Sequence, residues 1–294
     1  MKKVTVLDLV LVICLTVGLL AFAGAVAAQE EVHWGYEGEN GPEHWGEISP
    51  EYAACSEGRE QAPIDIPAGT PTNAGDIVFN YQPTALDIVN NGHAIQVNYD
   101  EGSFMEVEGK KYNLLQFHFH ALSEHTVGGK HYDMEGHLVH QSEDGESAVV
   151  GILMSRGAEN AAFEPVWGHM PAEEGEPETI EGVTVNAIDL LPADKSYYRY
   201  DGSLTTPPCT EGFKWFELAT PVELSEAQMS AFEVIYDHNY RPVQPFNDRV
   251  FHVGAVPQTL PVTGGEVFPL AGVLGGFGAL AAGVGLYLRR REAA

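Results

Sequence analysis

Positive charge is what this chain has least of. Across 294 residues, 15 Lys and Arg face 42 Asp and Glu, a net charge of −27 at pH 7. A field of that sign repels phosphate backbones and anionic lipid, which excludes nucleic acid and anionic membrane surfaces as partners of the folded body. Cysteine is nearly as rare, with three in all. Cys14 lies in a segment expected to be removed, which leaves Cys55 and Cys209 as an even pair, either bridged or two free buried thiols. A bridge would close a loop of more than 150 residues and, on the chain-entropy account, add roughly 4–5 kcal/mol. Between about residue 30 and residue 256 there is no Ser- or Gly-rich linker, no repeat and no heptad pattern, which leaves one domain. No H-E-x-x-H occurs, which argues against a helix-borne metalloprotease site.

The two ends read differently from the middle. Lys2 and Lys3, an apolar run from about Val10 to Ala23 and then AVAAQE form the series expected of a secretory signal peptide, with a permanent N-terminal anchor as the alternative. At the other end, 22 uncharged residues from Val267 to Leu288 are long enough to cross a hydrocarbon core, and Arg289, Arg290 and Arg291 follow as a positive stop. Ahead of them, Leu260, Pro261, Val262, Thr263 and Gly264 resemble the LPxTG sorting signal of Gram-positive surface proteins, in which a sortase cuts between Thr and Gly and joins the Thr to the wall. A plain membrane anchor is the other reading. The chain then divides into a signal peptide (1–28), a folded domain (29–253), a linker carrying LPVTG (254–264) and a transmembrane or sorting segment with an Arg tail (265–294). The partners implied are signal peptidase, a sortase and the membrane that holds the C-terminal segment. The domain is expected outside the cell.

Inside the domain, short runs with period-2 alternation dominate: 76–82, 93–100, 104–120, 136–141, 147–154 and 214–224. Helical signals are sparse, and SEAQMSAFEVIYD (225–237), opened by Ser225 as N-cap, is the best of them. The acidic piece AEEGEPETIEG (172–182) reads as a solvated loop. Six of the twelve histidines crowd into QFHFHALSEHTVGGKHYDMEGHLVH, residues 116–140. On a strand, residues two apart share a face, so His118 and His120 point together, with Phe117 and Phe119 on the other side. A turn through Val127, Gly128, Gly129 and Lys130 lets YDMEGHLVH return as a strand and bring His137 opposite the pair. Three imidazoles converging from rigid strands are what a catalytic zinc needs, with the fourth tetrahedral position left to water. No cysteine is near to close the site. A surface strand rich in polar residues is the competing reading of this pattern alone.

That segment closely resembles the metal-binding segment of the α-class carbonic anhydrases. So do WGYEGENGPEHW (34–45), CSEGREQAPIDI (55–66), NNGHAIQV (90–97), YYRYDGSLTTPPCTEG (197–212) and NYRPVQPFNDR (239–249), in the family's order and over nearly the whole domain. The resemblance implies a mainly β (α+β) domain with a central twisted, mostly antiparallel β-sheet and a few short peripheral helices. It places one catalytic Zn2+ on His118, His120 and His137. It implies reversible hydration of carbon dioxide to bicarbonate and a proton by zinc-hydroxide attack. Gln116, Glu135 and the backbone carbonyl of Asn239 match the groups that hydrogen-bond the zinc ligands. Thr205 matches the residue that orients the hydroxide and passes its own proton to a carboxylate, here Glu124. His93 matches the proton shuttle. Tyr36 and Thr206 match polar positions of the pocket, and Val139, Val149, Leu204 and Trp215 its apolar wall. Ordinary core packing is the plain alternative for Val149.

The resemblance extends to His125 and His140 as core hydrogen-bonding residues, to cis bonds before Pro63 and Pro208, and to a Cys55–Cys209 disulfide. His33, His44, His131, His169, His238 and His252 carry no assignable chemistry. Three positions depart from the common pattern. Ala62 stands in QAPI, Tyr240 replaces a frequent Trp, and Gly136 stands where a larger apolar residue is usual, which is expected to loosen the strand. The alternative function is a catalytically weak binding or adhesion module at the cell surface. Such members typically lose a zinc histidine, and here all three stand.

Overall fold

Alternation of apolar and polar residues along the strands builds one large sheet with two unlike faces. The computed structural model describes residues 32–73 and 76–253. The segment expected to be a signal peptide, the linker with its LPVTG motif and the C-terminal apolar segment lie outside the described residues. Among the described residues, no helix is long and apolar enough to cross a membrane. The strands are β1 (Asp65–Ile66), β2 (Val78–Asn80), β3 (Thr84–Asn90), β4 (Ile95–Asn98), β5 (Phe104–Val107), β6 (Lys110–His120) and β7 (Thr126–Val127). They continue as β8 (Lys130–His131), β9 (Met134–Gln141), β10 (Ser147–Arg156), β11 (Glu178–Val185), β12 (Tyr197–Ser203) and β13 (Glu211–Leu224).

A ten-stranded sheet runs in the order β11-β3-β4-β6-β9-β10-β13-β12, with β5 joining β6 and β2 joining β5. Its pairs are antiparallel except β10 with β13. The mainly β, single-domain reading therefore holds. A small sheet, β1-β7-β8, lies beside it.

Two differences from the sequence reading are instructive. The run 104–120 is two strands, because Glu108 (φ 53°) and Gly109 (φ 75°) make the left-handed two-residue turn of a hairpin. The acidic piece 172–182 is not all loop: β11 starts at Glu178 and pairs with β3. It is an edge strand, mostly exposed, with a register shift between Ile180 and Thr184, so no buried face imprints alternation on its sequence. The helix at 225–237 does form, over Glu226–Glu233, four residues shorter at its end than read. Ser225 caps it, and Gln228 completes the reciprocal capping box.

One face of the sheet packs the main core. Phe117, Phe119, Leu138, Val150, Ile152, Met154, Phe216 and Leu218 all point there and are buried. Gly136 shares this face. A Cβ added to it would lie 2.9 Å from the Met154 terminal methyl and 3.2 Å from the Phe119 ring, so its space is filled rather than loose. The opposite face carries His118, His120 and His137.

Candidate metal centre

His118 and His120 lie two residues apart on β6, and His137 on β9 is the register partner of His118. Their rings rise from one face of adjacent strands, with centroids 5.0 Å (118/120), 5.2 Å (118/137) and 4.6 Å (120/137) apart. One nitrogen from each ring lies within 4.8 Å of the other two. The remaining nitrogen of each is tied to an acceptor. His118 Nδ1–H donates to Gln116 Oε1 (2.8 Å), His120 Nδ1–H to the Asn239 carbonyl (2.6 Å), and His137 Nε2–H to Glu135 Oε1 (2.7 Å). An acceptor on one nitrogen settles where the proton sits, which leaves lone pairs on His118 Nε2, His120 Nε2 and His137 Nδ1.

Electrostatics favour the neutral form of His118 and His120. Burial, then the neighbouring His120 and His137, hold His118 well below the usual imidazole range, and burial likewise lowers His120. Burial pushes Glu135 up, but its electrostatic interactions and hydrogen bonds with His125 and His137 outweigh it and hold the carboxyl well below its ordinary value. Neutral imidazole is the form a metal requires. His120 Nε2 is buried with no hydrogen-bond partner, an arrangement that costs free energy unless something fills it. A divalent cation on three imidazoles does so, and the donor set fits one. A second close group, His125, Glu135 and His137, fits a metal poorly. There both histidines spend a ring nitrogen on Glu135 Oε1 at 2.7 Å.

A cavity of about 160 Å³ opens over the histidines. Tyr36, His93, Val139, Val149, Leu204, Thr205, Thr206 and Trp215 all line it, as does Gln116. The sheet explains the apolar wall, since Val139, Val149 and Trp215 are register partners one step along from the histidine row. Leu204, Thr205 and Thr206 come from the turn after β12. That turn is held by Leu204 N–H to the Thr210 carbonyl (3.0 Å) and Cys209 N–H to the Thr206 carbonyl (2.8 Å). The Cys55–Cys209 disulfide is formed, with Cα atoms 5.0 Å apart, and it ties this turn to the N-terminal segment. Cis bonds precede Pro63 and Pro208, and a third joins Ala121 to Leu122.

Glu124 behaves differently from the expectation. Its Oε1 accepts the Arg241 backbone N–H at 2.7 Å, while Oε2 has no hydrogen-bond partner, so the bond expected from Thr205 is not made. Oε2 instead stands 3.7 Å from His120 Nε2 and 3.8 Å from His137 Nδ1. Arg241 holds that carboxylate by its backbone alone, because its guanidinium donates to Gln61 and to the Ala62 and Cys55 carbonyls.

Several lining residues escaped the sequence reading. Trp34 stacks flat on His93, with centroids 3.6 Å apart and 10° between planes, and Asn91 and Gln96 complete the rim. Trp34 and Asn91 lie inside the quoted WGY and NNGHA stretches, which was the available signal. The Asn239 side chain was also missed. Its amide donates to the His93 and Phe119 carbonyls and its Oδ1 accepts from Ala121 N–H, so one buried residue ties the shuttle candidate to the ligand strand.

Three imidazoles converging on one side of a twisted sheet, facing a partly apolar cavity, form a site able to hold a metal ion. Comparison with known proteins then gives the family. Residues 40–254 match the eukaryotic-type carbonic anhydrase family. A carbonic anhydrase of Nostoc sp. is 47% identical over 76% of this chain and 87% of its own length. One from Pectobacterium carotovorum is 39% identical over 79% and 95%. The solved α-carbonic anhydrase of Thermovibrio ammonificans, in complex with the inhibitor sulfanilamide, superposes with a TM-score of 0.72 at 45% identity, covering 75% of this chain and 99% of that one. The chain belongs to the α-class carbonic anhydrases and is an enzyme of that class.

Proposed function

We propose that the chain hydrates carbon dioxide reversibly to bicarbonate and a proton, with zinc on His118, His120 and His137. The observation that carries this reading is the hydrogen-bond pattern of the three rings, in which each gives one N–H to a fixed acceptor and keeps one lone pair for the common centre. In carbonic anhydrases, the reference case for this chemistry, a zinc ion on three histidines supplies the Lewis acidity that ionises water near neutral pH.

The chain's own residues do the rest. Val139, Val149, Leu204 and Trp215 offer carbon dioxide an apolar wall beside the centre. Thr205, whose hydroxyl both donates and accepts, orients the attacking oxygen, and Thr206 adds a second hydroxyl. Glu124 Oε2 is the buried acceptor left to receive the Thr205 proton. Tyr36 keeps its own proton, because burial, then Glu124 and Tyr236, hold its phenol well above the usual range. His93 takes the product proton outward from the cavity rim, where Trp34 supports its ring.

We place the enzyme outside the cell, exported by the 1–28 signal and held by the C-terminal segment. The Cys55–Cys209 bridge supports this, since disulfides persist in oxidising compartments. Mass spectrometry of the mature C-terminus tests it: an end at Thr263 means sortase processing, and an intact 294-residue end means a membrane anchor.

Stopped-flow carbon dioxide hydration tests the activity, run with and without a chelator and beside His120→Ala. Chelator and substitution should each bring the rate to the uncatalysed background, a larger loss than the ~10–100-fold typical of removing a partner behind a ligand. Equal rates in all three would overturn the reading.

A further inference from the structure

Glu217 lies two residues beyond Trp215 on β13 and therefore on the site face of the sheet. The register places it in line with the ligands: His118 pairs with His137, His137 with Gly151, Gly151 with Glu217, and Glu217 with Tyr198. Gly151 has no side chain, and the Glu217 carboxyl occupies the space over it. A Cβ built on Gly151 would come within 1.6 Å of Glu217 Oε2. The side chain is fully buried, and neither carboxyl oxygen has a hydrogen-bond partner. Burying an unpartnered carboxyl is costly, and an apolar residue would fill the gap at less expense.

The groups facing it are His125, Glu135, Tyr198 and Tyr200, with no Lys or Arg among them. Burial, then the Glu135 charge, push the Glu217 carboxyl well above the usual carboxylate range. Its Oε2 lies 3.7 Å from His125 Nδ1. That N–H already donates to Glu135 Oε1 at 2.7 Å, the same oxygen that accepts His137 Nε2–H at 2.7 Å. His125 and His137 thus share one acceptor atom.

We propose that Glu217 is a positioning residue for the metal: its carboxyl, too far from His125 Nδ1 for a hydrogen bond, attracts that N–H through space at 3.7 Å, weakens its hold on Glu135 Oε1 and leaves more of that oxygen's charge to His137. This rests on the reading that His118, His120 and His137 hold zinc. A stronger acceptor behind a ligating imidazole makes it more basic, which tightens the metal and raises the pKa of its water. His125 Nε2 is engaged by the Tyr200 hydroxyl at 2.6 Å, so the ring cannot turn away and the competition stays at Nδ1.

The test uses Glu217→Met, which fills the same space without an acceptor, and Glu217→Gln, which keeps a carbonyl oxygen toward His125. Zinc affinity of the apo-protein is measured by competition with a chelator, and the midpoint of the kcat/KM pH profile is measured on the zinc-loaded form. Met should weaken zinc several-fold and move the midpoint down by a few tenths of a pH unit, and Gln should keep wild-type values of both. Glu217→Val serves in place of Met if thermal melts show that Met unfolds the protein. Wild-type affinity and midpoint in the apolar variant would overturn the proposal, and so would a Gln variant shifted as far as the apolar one. Failure of wild-type protein to bind zinc, or binding untouched in His120→Ala, would overturn the metal reading itself.

Discussion

Gly136 and Gly151 sit on neighbouring strands one register step apart, yet each belongs to a different face of the sheet. Gly136 pairs with Phe119 and Ile152, and its space is taken by the Met154 methyl and the Phe119 ring. Gly151 pairs with His137, and its space is taken by a carboxyl. The apolar face closes by dispersion and area, where any well-shaped methyl serves. The site face closes by polar atoms that must each find a partner or a metal, so single atoms matter there. One backbone ladder obeys two sets of rules.

The contrast can be broken from either side. Phe119 follows His118 in the chain but points into the core, where it packs on Phe117, Phe163, Trp167 and Phe232. Phe119→Ala should cost about 3–5 kcal/mol in urea unfolding, while the folded fraction keeps wild-type zinc affinity. A parallel loss of affinity would mean the faces are not independent.

His140 is an imidazole on the apolar face, where its Nε2 meets the Tyr81 hydroxyl at 2.7 Å and its Nδ1 has no partner. Burial lowers it to about 3 from the ordinary 6.5. Between those values the unfolded chain binds a proton that the fold refuses. Stability from this group is therefore complete above about pH 6.5 and is lost as pH falls toward 3. From neutral pH down to about pH 4, the wild type should lose about 3 kcal/mol more than His140→Gln in matched unfolding titrations. Equal losses would show that the core admits the proton or its hydration.

Much of the ligand geometry was open to a period-2 argument. Gln116, His118 and His120 share parity on one strand, and His137 only had to return opposite them. Glu135 followed by the same parity. What lay beyond reach were contacts made by residues far along the chain. The Asn239 carbonyl on His120 and the Arg241 N–H on Glu124 come from the segment after the last helix, and family resemblance supplied only the first. The missing Thr205–Glu124 bond could not be read at all, since it turns on where the Thr205 hydroxyl sits relative to an Oε2 that the sequence does not place. β11 stayed hidden because an exposed edge strand needs no alternation. Glu217 looked like one more acidic residue, because its burial depends on the absent side chain of Gly151 on another strand.

The smallest effect is also the sharpest measure of the two faces. Gly136→Ala should cost about 1–3 kcal/mol, since the new methyl meets a flexible Met154 terminus that can shift. Zinc affinity should not change. Gly151→Ala of equal size must expel the Glu217 carboxyl from its place, and with it the group proposed to act on His125. Its affinity for zinc should then fall to that of Glu217→Met, and combining the two substitutions should add nothing further. In a double-mutant cycle that shared loss appears as coupling between the positions, which neighbours sharing one space display and distant sites do not. If zinc losses simply add, Gly151 and Glu217 act separately, and the site face packs by the same rules as the core.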